Sequence, residues 1–257
     1  MITSSQNPKL KLVRALMGRS KERREANAFV VEGVRLIEEA VTAGWKFQFI
    51  LYSDGLSERG QDLLKVLIAH RVEVDEVAGD LLQKLSDTET PQGILAVLEF
   101  TDLPIPASLN FILIPDQIRD PGNLGTLIRT AASAGVQAIF LPDETADAFA
   151  PKVVRAGMGA HFRLPIHALT WDEIRERTKD LQVYLADMAG KSCWETDLHK
   201  PLALIVGSEA EGASEEGRKL ATQKVSIPMA GNVESLNAGV AGSVLMFEVV
   251  RQRRNNG

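Results

Sequence analysis

The chain has 257 residues, 45% of them hydrophobic and 25% charged, with a net charge of −5, a composition that suits one large or two modest globular domains able to bury a core. No apolar run reaches the roughly 18 residues of a membrane span, and the start, "MITSSQNPKLKLVRALMGRS", lacks the apolar core of a secretion signal, so the expected location is the cytoplasm with no membrane partner. Cys193 is the only cysteine, which excludes an internal disulfide, and His70, His161, His167 and His199 show no metal-ligand spacing, so no metal is expected.

Charge is unevenly distributed. The first 30 residues carry Lys9, Lys11, Arg14, Arg19, Lys21, Arg23 and Arg24 against only Glu22 and Glu25, a basic entry segment on an acidic body. Such a segment is either a nucleic-acid footprint or a solvated helix face, and charge alone leaves both open.

In chain order, periodicity predicts a basic helix over 8–18, a helix over 33–43, a strand at "FQFILY" (47–52), a helix over 58–69, a strand at "VEVDEV", a short helix over 79–86 and a strand at "GILAVLEF" (93–100). This is an α/β module covering residues 1–100. "TDLPIPASLN" follows, stiffened by Pro104 and Pro106, and 101–108 reads as a linker. From 109 to 257, short apolar runs ("FILI", "QAIFL", "RLPI", "VYLAD", "ALIVG", "VSIP") alternate with helical stretches, which implies a parallel sheet covered on both faces. Ligands of such sheets bind outside the carboxyl ends of the strands.

Three loops at strand ends are therefore of interest. "PDQIRDPGNLGTLIRTAASAG" (115–135) turns through Pro121 and Gly122 into a helix that Asn123 is placed to cap, and Arg129 falls in a segment rich in small buried residues, where a cation needs an anionic or hydrogen-bonding partner. That partner is either an internal carboxylate or a phosphate or ribose of a ligand. "ALIVGSEAEG" (203–212) ends an apolar strand at Gly207 and sets Glu209 at its carboxyl end. "VSIPMAGNVESLNAGVAG" (225–242) opens a long C-terminal helix that Ser235 is placed to cap, with Asn237 in its first turn. Gly239 and Gly242 cost that helix about 1 kcal/mol each relative to alanine, so something must approach it closely. Other signals are weak. "GMGAHF" (157–162) lacks the third glycine of a dinucleotide fingerprint, there is no P-loop or nucleophile elbow, and Cys193, in the polar stretch "GKSCWETDL", reads as an inert thiol in a surface turn.

Taken in order, "DPGNLGTLIRTAASAG", "LIVGSEAEG" and "IPMAGNVESLNAGVA" resemble the three motifs of the SpoU (TrmH) family of RNA ribose 2'-O-methyltransferases, of the SPOUT class. "SSQNPKLKLVRAL" with "FVVEGVRLIEEA" resembles the L30e-like substrate-binding domain that precedes the catalytic domain in many members. The resemblance implies an L30e-like α/β domain (1–100), a linker (101–108) and a SPOUT catalytic domain (109–257) whose parallel-sheet α/β fold carries a deep trefoil knot. It implies S-adenosylmethionine as methyl donor and a homodimer packed partly through the C-terminal helix. By position, Arg129, Asn123, Glu209, Ser235 and Asn237 fall on the catalytic motif residues, and Gly207, Ile227, Met229 and Leu236 on the donor pocket. Lys9, Lys11, Arg14, Arg23 and Arg24 become the expected RNA contacts. One departure is Gly239, where many members hold a second serine. The implied acceptor is ribosomal RNA of the 23S type, with transfer RNA second. A non-catalytic RNA-binding protein of this fold and a base methyltransferase are the competing classes.

Overall fold

The computed structural model describes residues 1–88, 90–231 and 235–254. Two compact units make up the chain: Met1–Asp102 with Phe149–Phe162, and Leu103–Ala148 with Arg163–Gly257.

The first unit opens with α1 (Pro8–Gly18), started by proline at its first position and by the Asn7 side chain, which accepts from Lys9 N–H as an N-cap should. Its buried stripe is Leu10, Val13 and Leu16. Two unanticipated elements follow, α2 (Ser20–Glu25) and β1 (Ala28–Glu32), before α3 (Val34–Thr42), β2 (Phe47–Tyr52), α4 (Glu58–Ala69), β3 (Val74–Glu76), α5 (Gly79–Gln83) and β4 (Ile94–Glu99). Among the described residues these strands form one four-stranded sheet ordered β1-β4-β2-β3. β4 is antiparallel to β1 and β2, and β3 is parallel to β2. On one face Leu10, Val13 and Leu16 meet Val30, Phe49, Leu95 and Val97 in a common core.

An aromatic cluster brings residues 149–162 into this unit. Phe149 packs on Phe29 and Phe100 at ring-centroid distances of 5.0 and 4.7 Å, Phe162 packs on Trp45 at 5.4 Å, and Trp45 Nε1–H donates to the Phe162 carbonyl at 3.1 Å. Arg155, on α7 (Pro151–Gly157), adds ion pairs to Glu32 and Asp87. Full burial of a side chain such as Phe29 or Phe162 stabilises by about 1.5–3 kcal/mol, and the Arg155–Glu32 pair is itself mostly buried, with side-chain exposures of 32% and 8%. Gly157 lacks the Cβ that would stand 2.4 Å from the His161 ring, which is the local use of "GMGAHF".

The second unit contains β5 (Phe111–Pro115), α6 (Pro121–Ser133), β6 (Ala138–Leu141), β7 (Ile166–Ala168), α8 (Trp171–Thr178), β8 (Gln182–Ser192), β9 (Leu202–Val206), α9 (Glu215–Leu220), β10 (Gln223–Ser226) and α10 (Ala238–Arg254). Its sheet is ordered β10-β8-β9-β5-β6-β7, with every neighbouring pair parallel. The central β5 and β9 are buried throughout, as strands covered on both faces must be.

Two helix starts differ from expectation. Asp120, not Asn123, caps α6: its side chain accepts from Asn123 N–H at 2.7 Å, so Asn123 lies inside the first turn with its own side chain released for other contacts. Asn237, not Ser235, caps α10, accepting from Val240 N–H at 3.1 Å. The glycines of α10 serve packing within the chain. A Cβ on Gly242 would stand 2.4 Å from Leu127 Cδ2 and 3.2 Å from Val206, and one on Gly239 would press on Thr126 and the Asn123 backbone. The nearby Thr130 and Ser243 hydroxyls meet at 2.9 Å, fixing the register of α6 against α10.

Candidate active site

Three strand-end loops converge where β9 and β10 finish. Gly207 turns the chain after β9 with no room to spare, since a Cβ there would lie 2.4 Å from the backbone of Gly212 and Ala213. The turn delivers Glu209 to the N-terminus of α10 and the first turn of α6. Its Oε1 accepts from Asn123 Nδ2 at 3.0 Å, Asn237 Nδ2 at 2.6 Å and Ala238 N–H at 2.8 Å, while Asn237 Nδ2 also donates to Asn123 Oδ1 at 2.8 Å. One residue from each motif loop thus enters a single hydrogen-bonded cluster. The carboxylate sits where the orphan N–H groups and the positive end of the helix dipole favour negative charge. Asn237 is exposed, so the cluster forms a surface lip.

Beside the cluster lies a cavity of about 320 Å³, within the roughly 300–1,000 Å³ of small-molecule sites. Its wall includes apolar Leu185, Val206, Val225 and Leu245, and all four residues expected at a donor pocket, Gly207, Ile227, Met229 and Leu236, together with Ser235 and Glu209.

Arg129 stands apart. It is exposed on α6, its side chain makes no hydrogen bond or ion pair among the described residues, and it is outside both cluster and cavity wall. Of the two partners the sequence left open, the internal carboxylate is not found among the described residues. Cys193 lies in a turn, as expected, but its side chain is buried rather than at the surface, and burial raises its thiol pKa to about 11, so thiolate is scarce near neutrality. Among the basic residues, Lys11, Arg14 and Arg24 are exposed. Arg23 is withdrawn from the surface: it is 3% exposed and donates to the Leu16 carbonyl. Lys9 is engaged by Glu73 at 2.7 Å, by Asp75, and by the Phe49 ring.

Sequence reasoning missed three residues. Asp187 and Arg218 line the cavity from outside the three motifs. Asp116, directly after β5, is fully buried and accepts from Ser214 N–H at 2.7 Å and Ser214 Oγ–H at 2.8 Å, tying the first loop to the return of the second. Burial raises the Asp116 pKa, opposed by the two Ser214 bonds. An acid directly after an apolar run was the available signal for Asp116 and Asp187 alike, although β8 itself continues past Asp187 to Ser192.

A parallel sheet with a cavity at its strand ends and three motif loops joined at the lip defines an α/β protein built to bind a small cofactor beside a polar cluster. Residues 110–247 match the SpoU rRNA Methylase family and residues 7–96 the MRM3-like substrate binding domain. The chain belongs to the SpoU rRNA methylase family. It is 34% identical to the 23S rRNA (uridine(2479)-2'-O)-methyltransferase of Streptomyces viridochromogenes over 97% of this chain and 92% of that one. It is 32% identical to the 23S rRNA (guanosine(2553)-2'-O)-methyltransferase RlmP of Bacillus subtilis over 96% and 98%. The crystal structure of the SpoU methyltransferase AviRb from Streptomyces viridochromogenes, in complex with AdoMet, superposes with a TM-score of 0.89 at 33% identity, covering 97% of this chain and 99% of that one.

Proposed function

We propose that this chain methylates the 2'-hydroxyl of a ribose in 23S-type ribosomal RNA, using S-adenosylmethionine, as a cytoplasmic homodimer. The observation that carries the reading is the junction of Asn123, Glu209 and Asn237 at the lip of the cavity. The two 23S relatives are named for targets on different bases, uridine and guanosine, and share the 2'-oxygen, which points to ribose chemistry. Both are bacterial and matched over nearly their whole length, which supports the cytoplasm. Helix α10 supports the dimer: Val240 and Phe247 are 45% and 49% exposed beside Trp194 at 50%, an apolar stripe of the kind that marks a protein interface.

The cavity fits the donor. Its apolar wall suits a planar adenine, the glycine cradle at 207 lets backbone groups approach, and the Glu209 carboxylate suits a cationic sulfonium. S-adenosylmethionine bound there supplies an electrophilic methyl group. The chain's own residues position the acceptor, which supplies much of the rate gain. Asn123 and Asn237 hold Glu209 rigid, and the second Nδ2–H of Asn123, together with Glu209 Oε2, orients the nucleotide. A guanidinium keeps its proton near neutrality and donates only, so Arg129 binds the phosphate flanking the target and stabilises negative charge developing on the 2'-oxygen as the hydroxyl proton passes to water. Its lack of an internal partner leaves it available for that role.

The test is methyl transfer from labelled S-adenosylmethionine to undermethylated ribosomal RNA and, in parallel, to transfer RNA. Label in the 23S fraction supports the reading; label in transfer RNA alone replaces its substrate, and no label in either favours a non-catalytic RNA-binding protein.

A further inference from the structure

The polar residues of the cavity wall differ in what they have left to offer. The Ser208 and Ser226 hydroxyls donate to the carbonyls of Gly212 and Gly190 at 3.3 and 2.9 Å. Arg218 donates to the Glu211 carbonyl at 2.8 Å, and Glu209 is fixed at the lip by three donors on Oε1, so that only its Oε2 is left to accept among the described residues. Asp187 is different. It lies on β8 beyond the stretch paired with β9, Oδ1 accepts from Ala189 N–H at 2.9 Å, and Oδ2 meets Lys224 Nζ at 2.8 Å. Each oxygen retains a second lone-pair direction, on a residue that lines the cavity.

A carboxylate with two open acceptor positions is complementary to a cis-diol, which presents two O–H donors side by side. An acidic residue near the carboxyl end of a parallel strand meets ribose in the same way in other α/β folds. Resting on the methyl-donor reading above, we propose that Asp187 is a donor-binding residue whose carboxylate accepts the ribose hydroxyls of the adenosyl group. Lys224 orients that carboxylate and, as the main cause, holds its pKa below the usual range, assisted by the Ala189 N–H, so Asp187 is an acceptor throughout the neutral range.

The test compares the binding of S-adenosylhomocysteine and of its 2',3'-dideoxy counterpart, by calorimetry, to the unaltered full-length chain, to Asp187→Asn and to Asp187→Ala. The unaltered protein should prefer the ribose form by about tenfold to a hundredfold, the range expected for hydrogen bonds to a charged acceptor. In Asp187→Ala that ratio should fall to near one, and in Asp187→Asn to an intermediate value. The ratio is internal to each variant, and the isosteric Asn variant carries the test if the Ala variant does not fold. An undiminished ratio with weaker binding of both ligands overturns the inference and assigns Asp187 to the ammonium group or to loop structure. Failure of the unaltered protein to bind S-adenosylhomocysteine removes the donor reading itself, and the inference with it.

Discussion

At the scale of single residues, the proposed function gives the cluster and Arg129 separable tasks. Arg129 touches neither Glu209 nor the cavity wall, so Arg129→Ala should leave S-adenosylhomocysteine affinity unchanged while lowering methyl transfer by at least about a hundredfold, the scale of losing one charge-stabilising donor. Near-normal turnover would remove it from the site. Asn237 bonds Glu209 and Asn123 while capping α10, so Asn237→Ala should slow transfer by about tenfold to a hundredfold and cost about 1 kcal/mol of stability through removal of the cap. Residue identity at the site was legible because motif spacing survives in sequence. Pairing was not: Asp120 and Asn237 took the capping positions assigned to Asn123 and Ser235, since several consecutive cap-competent residues compete and only the backbone path decides. Cys193 was misplaced because its flanks are polar, while the residue that covers it, Gln252, whose Nε2 donates to the Cys193 carbonyl at 3.2 Å, lies 59 positions away.

At the scale of elements, α10 is the informative case. Its glycines look like poor helix design until Leu127 and Val206 are seen against Gly242. Gly242→Ala gains about 1 kcal/mol of helix propensity but meets a core side chain at overpacking costs of about 1–3 kcal/mol. Urea denaturation should therefore show net destabilisation, and a gain in stability would mean Leu127 moves aside freely. On the opposite side, Phe247→Glu should convert the proposed dimer to monomers in light scattering without loss of helix content, and a wild-type chain that is itself monomeric would contradict that assembly. Within the helix, Glu248 is buried and paired bidentately with Arg251 at 2.8 Å. That hydrogen bond is the main reason its pKa falls below the ordinary 4.5. A depressed carboxylate contributes stability above its unfolded pKa and loses it as pH falls through the folded value. Glu248→Gln should accordingly be less stable than the parent at pH 7, by about 1 kcal/mol, with the difference vanishing in acid. The long periodic helices and the apolar strands were legible from their patterns. α2 and β1 were not, because "SKERRE" carries no apolar stripe and "AFVVE" is too short to separate from the helix that follows.

At the scale of the whole molecule, the architecture followed from strand-helix alternation, but the affiliation of residues 149–162 did not, because it rests on aromatic packing between Phe149, Phe162, Phe29 and Trp45, which has no sequence period. The basic segment also divides. Lys11, Arg14 and Arg24 are free to meet phosphate, whereas Lys9 and Arg23 are committed to the fold. Replacing Lys11, Arg14 and Arg24 with alanine should weaken RNA binding and flatten its salt dependence by about 0.7 log units for each single-strand phosphate left unneutralised, while Arg23→Ala should lower the melting temperature instead. The central claim is that these loops place a ribose 2'-oxygen for methylation. Its most direct test is nucleoside mass analysis of undermethylated 23S ribosomal RNA after reaction with the chain and S-adenosylmethionine. The expected product is one 2'-O-methylated nucleoside, absent with Arg129→Ala; a methyl group found on a base would contradict the account.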